Sequence, residues 1–489
     1  MTNDNEQNHT MIQAFEWYSE GNGVHWKKIA DVSPELGEMG ITAMWLPPPT
    51  KAAGQESVGY DIYDLYDLGE FDQKGGVRTK YGTKEEFLRA IKKAKQHGIV
   101  TYIDAVLNHK FGAERTEEFG ATEVANSDRN KEVSDVYDIK GWTGFDFPGR
   151  GGKYSKFKWN FNHFTGVDYD DKNGKSTIFR IHGDGKNWAQ GVDDENSNYD
   201  YLMGADIDHS HPDARKDVIN WGKWVIKETG AVGFRFDAVK HIDSQFIAEF
   251  VKAVREDAND PHLFAVGEYW KDDLSDLEDY LSALGTQYSV FDTPLHYNFK
   301  EAGDRAEEYD MRAIWDSTIV QERPIDAVTL VDNHDTVSAI AITCLMLLLS
   351  DPCSIASRPG VRELGFSGIQ ALGIRFDPAA TIRVPMRLLG RLLYAYGELR
   401  DYWDHMNCVG WVRMGEKDKG IDGCAVVLCN GSGEGSKRME VGKEHAGEKW
   451  KDLLGWYQGD VVIEDDGWAE FKCSARSVSI WVKEGAKGR

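Results

Sequence analysis

Hydrophobic and polar positions switch between two periods along the first part of the chain. Met11–Glu16, Thr42–Leu46 and Val100–Val106 are short and apolar or alternating, as strands are. Trp26–Met39 and Lys84–His97 instead repeat every three to four residues, with Phe87, Ile91 and Ala94 on one side of the second and charges elsewhere. Pro47-Pro48-Pro49 stops the second strand and Gly98 the second helix. Strands alternating with helices predict a parallel sheet, and this many units predict a barrel.

The beat stops at residue 108. From there to about residue 206 the chain is rich in Gly, Asp, Asn and aromatics without a long helical period, which predicts an inserted small domain rather than one long loop. It resumes with helix Lys216–Thr229, a strand at 233–241, helix Asp243–Arg255, strand Leu263–Gly267, helix Leu274–Leu284, and strands Tyr288–Phe291 and Ala327–Val331. Beyond about residue 400, Gly410–Arg413, Gly423–Leu428, Val461–Ile463 and Ser477–Val482 read as short strands between Gly- and Asp-rich turns, so a C-terminal β-sandwich is expected.

Chemistry concentrates where the predicted strands end. In the 233–241 stretch Val232, Phe234 and Phe236 alternate with Gly233, Arg235 and Asp237, which puts an ion pair on one face. A buried carboxylate needs such a partner, and a plain strand-end ion pair explains this stretch alone equally well. Further polar clusters follow other strands: Tyr60-Asp61, Asp104 to His109, Gly267 to Trp270, and Asp332 to Asp335. In a barrel these ends share one rim. Carboxylates gathered there repel one another, so chemistry explains them better than structure. Glycosidic bond cleavage wants this set: an ionised acid held by a cation as nucleophile, and a protonated acid beside it to serve the leaving oxygen.

Composition narrows the field. The 489-residue chain has a net charge of −24, which argues against nucleic acid and anionic membranes as partners. Sixteen Trp and twenty Tyr offer flat faces suited to sugar rings. Met1 to Thr10 is polar, so no secretory signal is expected, and the apolar run Val337–Leu349 is too short to span a bilayer. The six cysteines all follow residue 340 without disulfide-like or metal-like spacing, which fits a reduced cytoplasm.

The blocks Asp104–His109, Gly233–His241, Val266–Trp270 and Leu330–Asp335 resemble, in order, those of the α-amylase family, family 13 of the glycoside hydrolases. Phe15-Glu16-Trp17-Tyr18 and Tyr201–Asp208 look most similar to the liquefying bacterial enzymes and their intracellular fungal relatives. The resemblance implies a (β/α)8 TIM barrel of residues 1–107 and 207–399, a β-rich inserted domain of residues 108–206 after strand three, and a C-terminal antiparallel β-sandwich of residues 400–489. It implies Asp237 as nucleophile, Glu268 as general acid/base with a raised pKa, and Asp335 as transition-state stabiliser. Tyr60, His109, Arg235 and His334 would line the cleaved sugar's subsite, with Lys240 and Trp270 on the leaving-group side. One structural calcium is implied, on Asn108, Asp200, Asp206 and the His241 carbonyl. Thr165, Ala189 and Ser210 stand where the liquefying enzymes carry extra acids, which implies a single ion rather than a cluster.

The implied activity is that of a monomeric, retaining, endo-acting α-amylase on an α-1,4-glucan. The same carboxylates would serve a glucan transglycosylase. Residues 337–385 break the family pattern: they lack Trp and Tyr, and the resemblance resumes only at about Leu388–Asp401. A shifted reading frame or altered splice would produce such a stretch. An aberrant eighth βα unit is therefore expected, and with it a catalytically impaired glucan-binding protein as a third reading.

Overall fold

The computed structural model describes residues 9–330, 333–336 and 394–486. Its first layer is the predicted alternation. Strands β1 (Met11–Gln13), β2 (Ala43–Trp45), β3 (Val100–Ala105), β4 (Gly233–Phe236), β5 (Phe264–Gly267), β6 (Ser289–Phe291) and β7 (Ala327–Val328) are interleaved with helices α1 (His25–Glu38), α2 (Lys84–Gln96), α3 (Pro212–Thr229), α4 (Ser244–Ala258), α5 (Leu274–Leu284) and α6 (Thr293–Arg305). Each strand pairs in parallel with the one before it, so the seven-stranded sheet runs in chain order. Local signals set the helix ends. Thr83 and Glu86 form a reciprocal capping box on α2, Pro212 opens α3, and Gly230 closes α3 in the left-handed conformation (φ 72°). Phe87, Ala90, Ile91 and Ala94 of α2 are buried, which is the stripe that the periodicity predicts.

Helix α6 is absent from the sequence expectations, although Asp292 caps it by accepting from the Leu295 N–H and Pro294 lies in its first turn. β7 is shorter than expected; Val331 and Asp332 lie outside the described residues. The expected aberrant eighth unit at 337–385, with Cys344 and Cys353, also lies outside them.

Between β3 and α3 the chain leaves the barrel to form an antiparallel sheet. Its strands run His109–Lys110, Ala205–Ile207, Phe164–Asp170, Lys175–Ile181, Arg115–Ala125 and Asp128–Glu132 in spatial order, and Tyr137–Gly144 also pairs with Arg115–Ala125. The insert's first and last strands pair with each other, Asp206 opposite His109 and Ala205 opposite Lys110. Its aromatic core, including Phe119, Phe145, Phe164 and Phe179, is continuous with that of the barrel.

The C-terminal part is a β-sandwich. One sheet orders Leu399–His405, Cys408–Arg413, Cys424–Cys429, Ser477–Lys483, Lys449–Asp452 and Asp460–Val462; a two-stranded antiparallel sheet pairs Gly435–Glu440 with Trp468–Cys473. Val427, Met439, Trp450, Phe471 and Trp481 fill the space between. Sequence patterning finds half of these strands. It passes over Gly435–Glu440, whose exposed face is Ser436, Arg438 and the half-buried Glu440, and Trp468–Cys473, because charge masks their alternation.

Candidate active site

The register of the parallel sheet builds the site. Arg235 on β4 lies opposite Asp104 on β3, and Phe236 lies opposite Gly267 on β5, so the residues that follow meet at one rim. The Arg235 side chain is fully buried. Its Nη1 donates to Asp104 Oδ1 (2.8 Å) and Asp237 Oδ1 (2.7 Å), and its Nη2 stands 2.5 Å from Glu268 Oε1. The guanidinium also lies over the Trp45 ring, 4.4 Å from its centroid. Asp104 is saturated: its second oxygen accepts from Trp45 Nε1 and from the Tyr60 hydroxyl, both at 2.8 Å. It serves as the buried counter-ion that orients Arg235, and sequence analysis gives it no role beyond membership of the rim cluster.

Two backbone features set Asp237 against Glu268. Ala238, directly after Asp237, adopts φ 48°, which turns the chain so that its N–H donates to Glu268 Oε2 (3.2 Å). Gly267, directly before Glu268, has no room for a side chain: a Cβ there would lie 2.6 Å from the Tyr288 hydroxyl.

One cation faces three carboxylates, so the cluster retains a proton. Burial pushes Asp237 well above the usual carboxylate range, with Glu268 and Asp104 adding to it and Arg235 opposing. Burial also opposes ionisation of Glu268, but Arg235, with the Ala238 N–H and the Trp270 indole, outweighs it and holds Glu268 below its ordinary value. This corrects the expectation of a raised Glu268. Arg235 reaches both acids, so Asp237 and Glu268 hold the retained proton as a pair. A substrate would have to enter with that proton on Glu268.

Asp335 follows β7, its Oδ2 3.6 Å from His334 Nε2. Burial, reinforced by Glu268 and opposed by Arg235, raises it to about 6. Asp335 must be ionised to grip sugar hydroxyls as charge builds, so kcat/KM is expected to fall below about pH 6, with a midpoint that belongs to the cluster. Stability runs the other way. A carboxyl whose folded pKa is raised favours the fold below its unfolded value, about 3.9, and loses that contribution as pH rises through about 6. A pH–rate profile beside thermal melts in the same buffers checks both signs; Asp335→Asn should flatten the stability difference.

Aromatic rings wall the cleft. Tyr60 and His334 stack at 5.0 Å with 7° between planes, and Trp17 lies nearly parallel to both. Burial, with Arg235 nearby, keeps His334 neutral by lowering it to about 3. Its buried Nδ1 has no hydrogen-bond partner among the described residues, which leaves it for a ligand hydroxyl. His109 is less free. Its Nε2 meets the Tyr60 carbonyl at 2.8 Å and its Nδ1 the Asn108 amide at 3.5 Å, so it fixes the Tyr60 loop. Lys240 Nζ and the Trp270 backbone carbonyl are 3.4 Å apart, and Trp270 Nε1 donates to Glu268 Oε1 at 3.2 Å. Lys240 also pairs with Glu195 of the inserted sheet (3.0 Å), and Tyr269 donates to Asp193 (2.7 Å); neither acid is singled out by the sequence. All nine predicted catalytic and substrate residues thus fall at this rim.

Asn108, Asp200 and Asp206 adjoin where the insert leaves the barrel, and His241 Nδ1 meets the carbonyl of Tyr199, the residue before Asp200, at 2.6 Å. Asp206 Oδ1 accepts from the Asn108 amide (3.2 Å), Asp206 Oδ2 from the Thr165 hydroxyl, and Asp200 Oδ2 from the Ala189 N–H (2.9 Å). Both acids are buried. Burial, with neighbouring Asp charges, raises Asp200 to about 7 and Asp206 well above its ordinary value. Two adjoining buried carboxylates among neutral oxygens fit a hard cation. No group of three or more His, Cys, Asp or Glu side chains among the described residues forms a metal cage, so carbonyl and amide oxygens would have to complete the shell. The nearby Asp208 is already neutralised by Lys186 (3.3 Å).

The family model for the catalytic domain of α-amylase matches residues 19–342, about two thirds of the chain. The chain belongs to the α-amylase family. The model of the α-amylase C-terminal domain matches residues 425–482. Among curated α-amylases, those of Geobacillus stearothermophilus and Bacillus licheniformis are each 45% identical over 97% of this chain, covering 87% and 94% of their own lengths. The cytoplasmic α-amylase of Escherichia coli is 37% identical over 98% of this chain and 99% of its own. The solved Anoxybacillus α-amylase superposes with a TM-score of 0.64 at 20% identity, covering 99% of both chains, and so supports the fold alone. This α-amylase-family member is a glycoside hydrolase with a TIM barrel and a C-terminal β domain.

Proposed function

We propose that the chain is a retaining, endo-acting α-amylase that cleaves α-1,4-glucosidic bonds in starch, glycogen or maltooligosaccharides. The observation that carries this is Arg235 holding Asp237 and Glu268 on its two arms. That sharing supports closely spaced carboxyls, roughly 5–5.5 Å apart as in retaining enzymes, over roughly 6.5–9.5 Å in inverting ones. Asp237 attacks the anomeric carbon while Glu268 protonates the leaving oxygen. Glu268 then takes a proton from the water that releases the sugar. Asp335 and His334 grip the hydroxyls of the reacting ring, Tyr60 stacks on it, and Lys240 and Trp270 meet the leaving side. His109 and Asp104 hold Tyr60 and Arg235 in place. Incubation of the purified chain with soluble starch should release reducing ends, with fresh ends in the α configuration by proton NMR. β-Configured ends would overturn the retaining assignment, and products longer than the substrate would favour transglycosylation.

We read the barrel as residues 1–107 and 207–399, the inserted domain as 108–206 and the sandwich as 400–489, acting as a monomer. One calcium, held by Asn108, Asp200, Asp206 and the His241 carbonyl, would tie barrel to insert and relieve the repulsion between the two acids. Chelation should lower the melting temperature by on the order of 5 °C, calcium should restore it, and Asp206→Asn should abolish the response. A melt indifferent to chelator would remove the ion from this account. A cytoplasmic location is supported by the buried free thiols Cys408, Cys424, Cys429 and Cys473. It is also supported by the name of the Escherichia coli relative; no helix among the described residues is long and apolar enough to cross a membrane.

A further inference from the structure

A groove lies away from the carboxylate rim, in the C-terminal sandwich. It encloses about 670 Å³ and is lined by Cys408, Cys429, His405, Lys437 and the Gly431–Gly435 loop. Two cysteines, Cys408 and Cys429, line it, and a third, Cys473, packs against Gly435 behind them. Cys408 and Cys429 are cross-strand partners in the larger sheet, and Cys473 comes from the two-stranded sheet, opposite Gly435. The Cys408 Sγ donates to the Ser436 carbonyl and the Cys429 Sγ to the Gly433 carbonyl, both at 3.6 Å. Gly435 makes room for them: a Cβ there would lie 2.7 Å from Cys429 Cβ, 2.9 Å from Cys408 Sγ and 3.0 Å from Cys473 Sγ. The adjacent Asn430 N–H bonds the Asn407 carbonyl at 3.1 Å, so Cys408 and Cys429 occupy a non-hydrogen-bonded pair, where facing side chains approach most closely.

We propose that Cys408 and Cys429 form a reversible thiol–disulfide modification site that reacts with low-molecular-weight disulfides entering through this groove, with Cys473 as a third thiol that stays reduced. The neighbouring thiols lower the Cys429 thiol more than burial raises it, which makes it the readier attacking group once it gives up its proton. It forms a bond to one sulfur of RSSR and expels RS⁻. Cys408, losing its proton, then attacks Cys429 Sγ, closes the Cys408–Cys429 bond and expels the second RS⁻. The two thiol protons leave with the two RS⁻ groups, so one RSSR becomes two RSH. No cage for a metal ion surrounds these sulfurs, which favours oxidation over metal capture.

The test uses the folded full-length chain and glutathione disulfide. Free thiols are alkylated after exposure and the peptides mapped by mass spectrometry. The expected result is loss of two thiols, a Cys408–Cys429 linked peptide, and recovery of both thiols with dithiothreitol. Cys408→Ser should stop at a glutathionyl adduct on Cys429, Cys429→Ser should give neither product, and Cys473→Ser should still cross-link. Full thiol retention in the folded parent, a link through Cys473 or Cys424, or a link that forms only in denaturant would each overturn the proposal. The parent experiment needs no substitution, and circular dichroism melts confirm that each variant is folded.

Discussion

Replacing Asp237 with Asn is expected to lower kcat on starch by on the order of 10⁴-fold or more while leaving the fold intact. The amide has nearly the shape of the carboxyl but cannot form the glycosyl bond. Stability should hold because the resting Asp237 is pushed by burial toward its protonated form, which Asn imitates. Glu268→Gln should cost roughly 10²–10⁴-fold through loss of proton transfer. An aryl glucoside, whose leaving group needs no proton, separates the two roles. It should recover much of the first step in Glu268→Gln and none in Asp237→Asn. Equal recovery in both would remove Asp237 as the nucleophile.

Arg235→Met carries the second large effect, and it falls on stability as well as rate. Removing the guanidinium strands Asp104, Asp237 and Glu268 without the cation they share. Breaking a buried pair in this way costs about 3–5 kcal/mol. The carboxyls can escape by taking up protons, so the loss should shrink as pH falls. Activity should drop on the order of 10³-fold even where the protein is folded, because nothing then orients the acids. Arg235→Lys keeps the charge but offers one nitrogen where two arms are used; it should recover part of the stability and little of the rate. Denaturant titrations from pH 5 to 8 check the slope. A folded Arg235→Met protein as stable as the parent at neutral pH would show that the guanidinium is not what holds the cluster.

The barrel units are legible in the sequence because strand and helix periods differ and because Gly98 stops the second helix; α3 begins at Pro212, ahead of the expected Lys216. Arg235 and Asp237 are legible as a pair because alternation places them on one face. The lowering of Glu268 is not, since it depends on its contact with Arg235, which is made between strands. Asp104 is hidden for the same reason: its partners Trp45, Tyr60 and Arg235 come from three separate segments. The three-thiol cluster defeats spacing rules altogether. Its members are brought together by sheet register, which pairs Cys408 with Cys429 and sets Cys473 opposite Gly435.

The inserted sheet begins and ends on strands that pair with each other, His109–Lys110 against Ala205–Ile207. In evolutionary terms such an insert is a cassette. The barrel sees only two neighbouring attachment points, and lengthening what lies between them adds little closure entropy, about 0.6 kcal/mol per doubling. Glu195 and Asp193 ride on that cassette and reach Lys240 and Tyr269 beside the carboxylates. One wall of the cleft can therefore drift, and glucan preference with it, while β3, β4 and β5 keep the reacting groups in place.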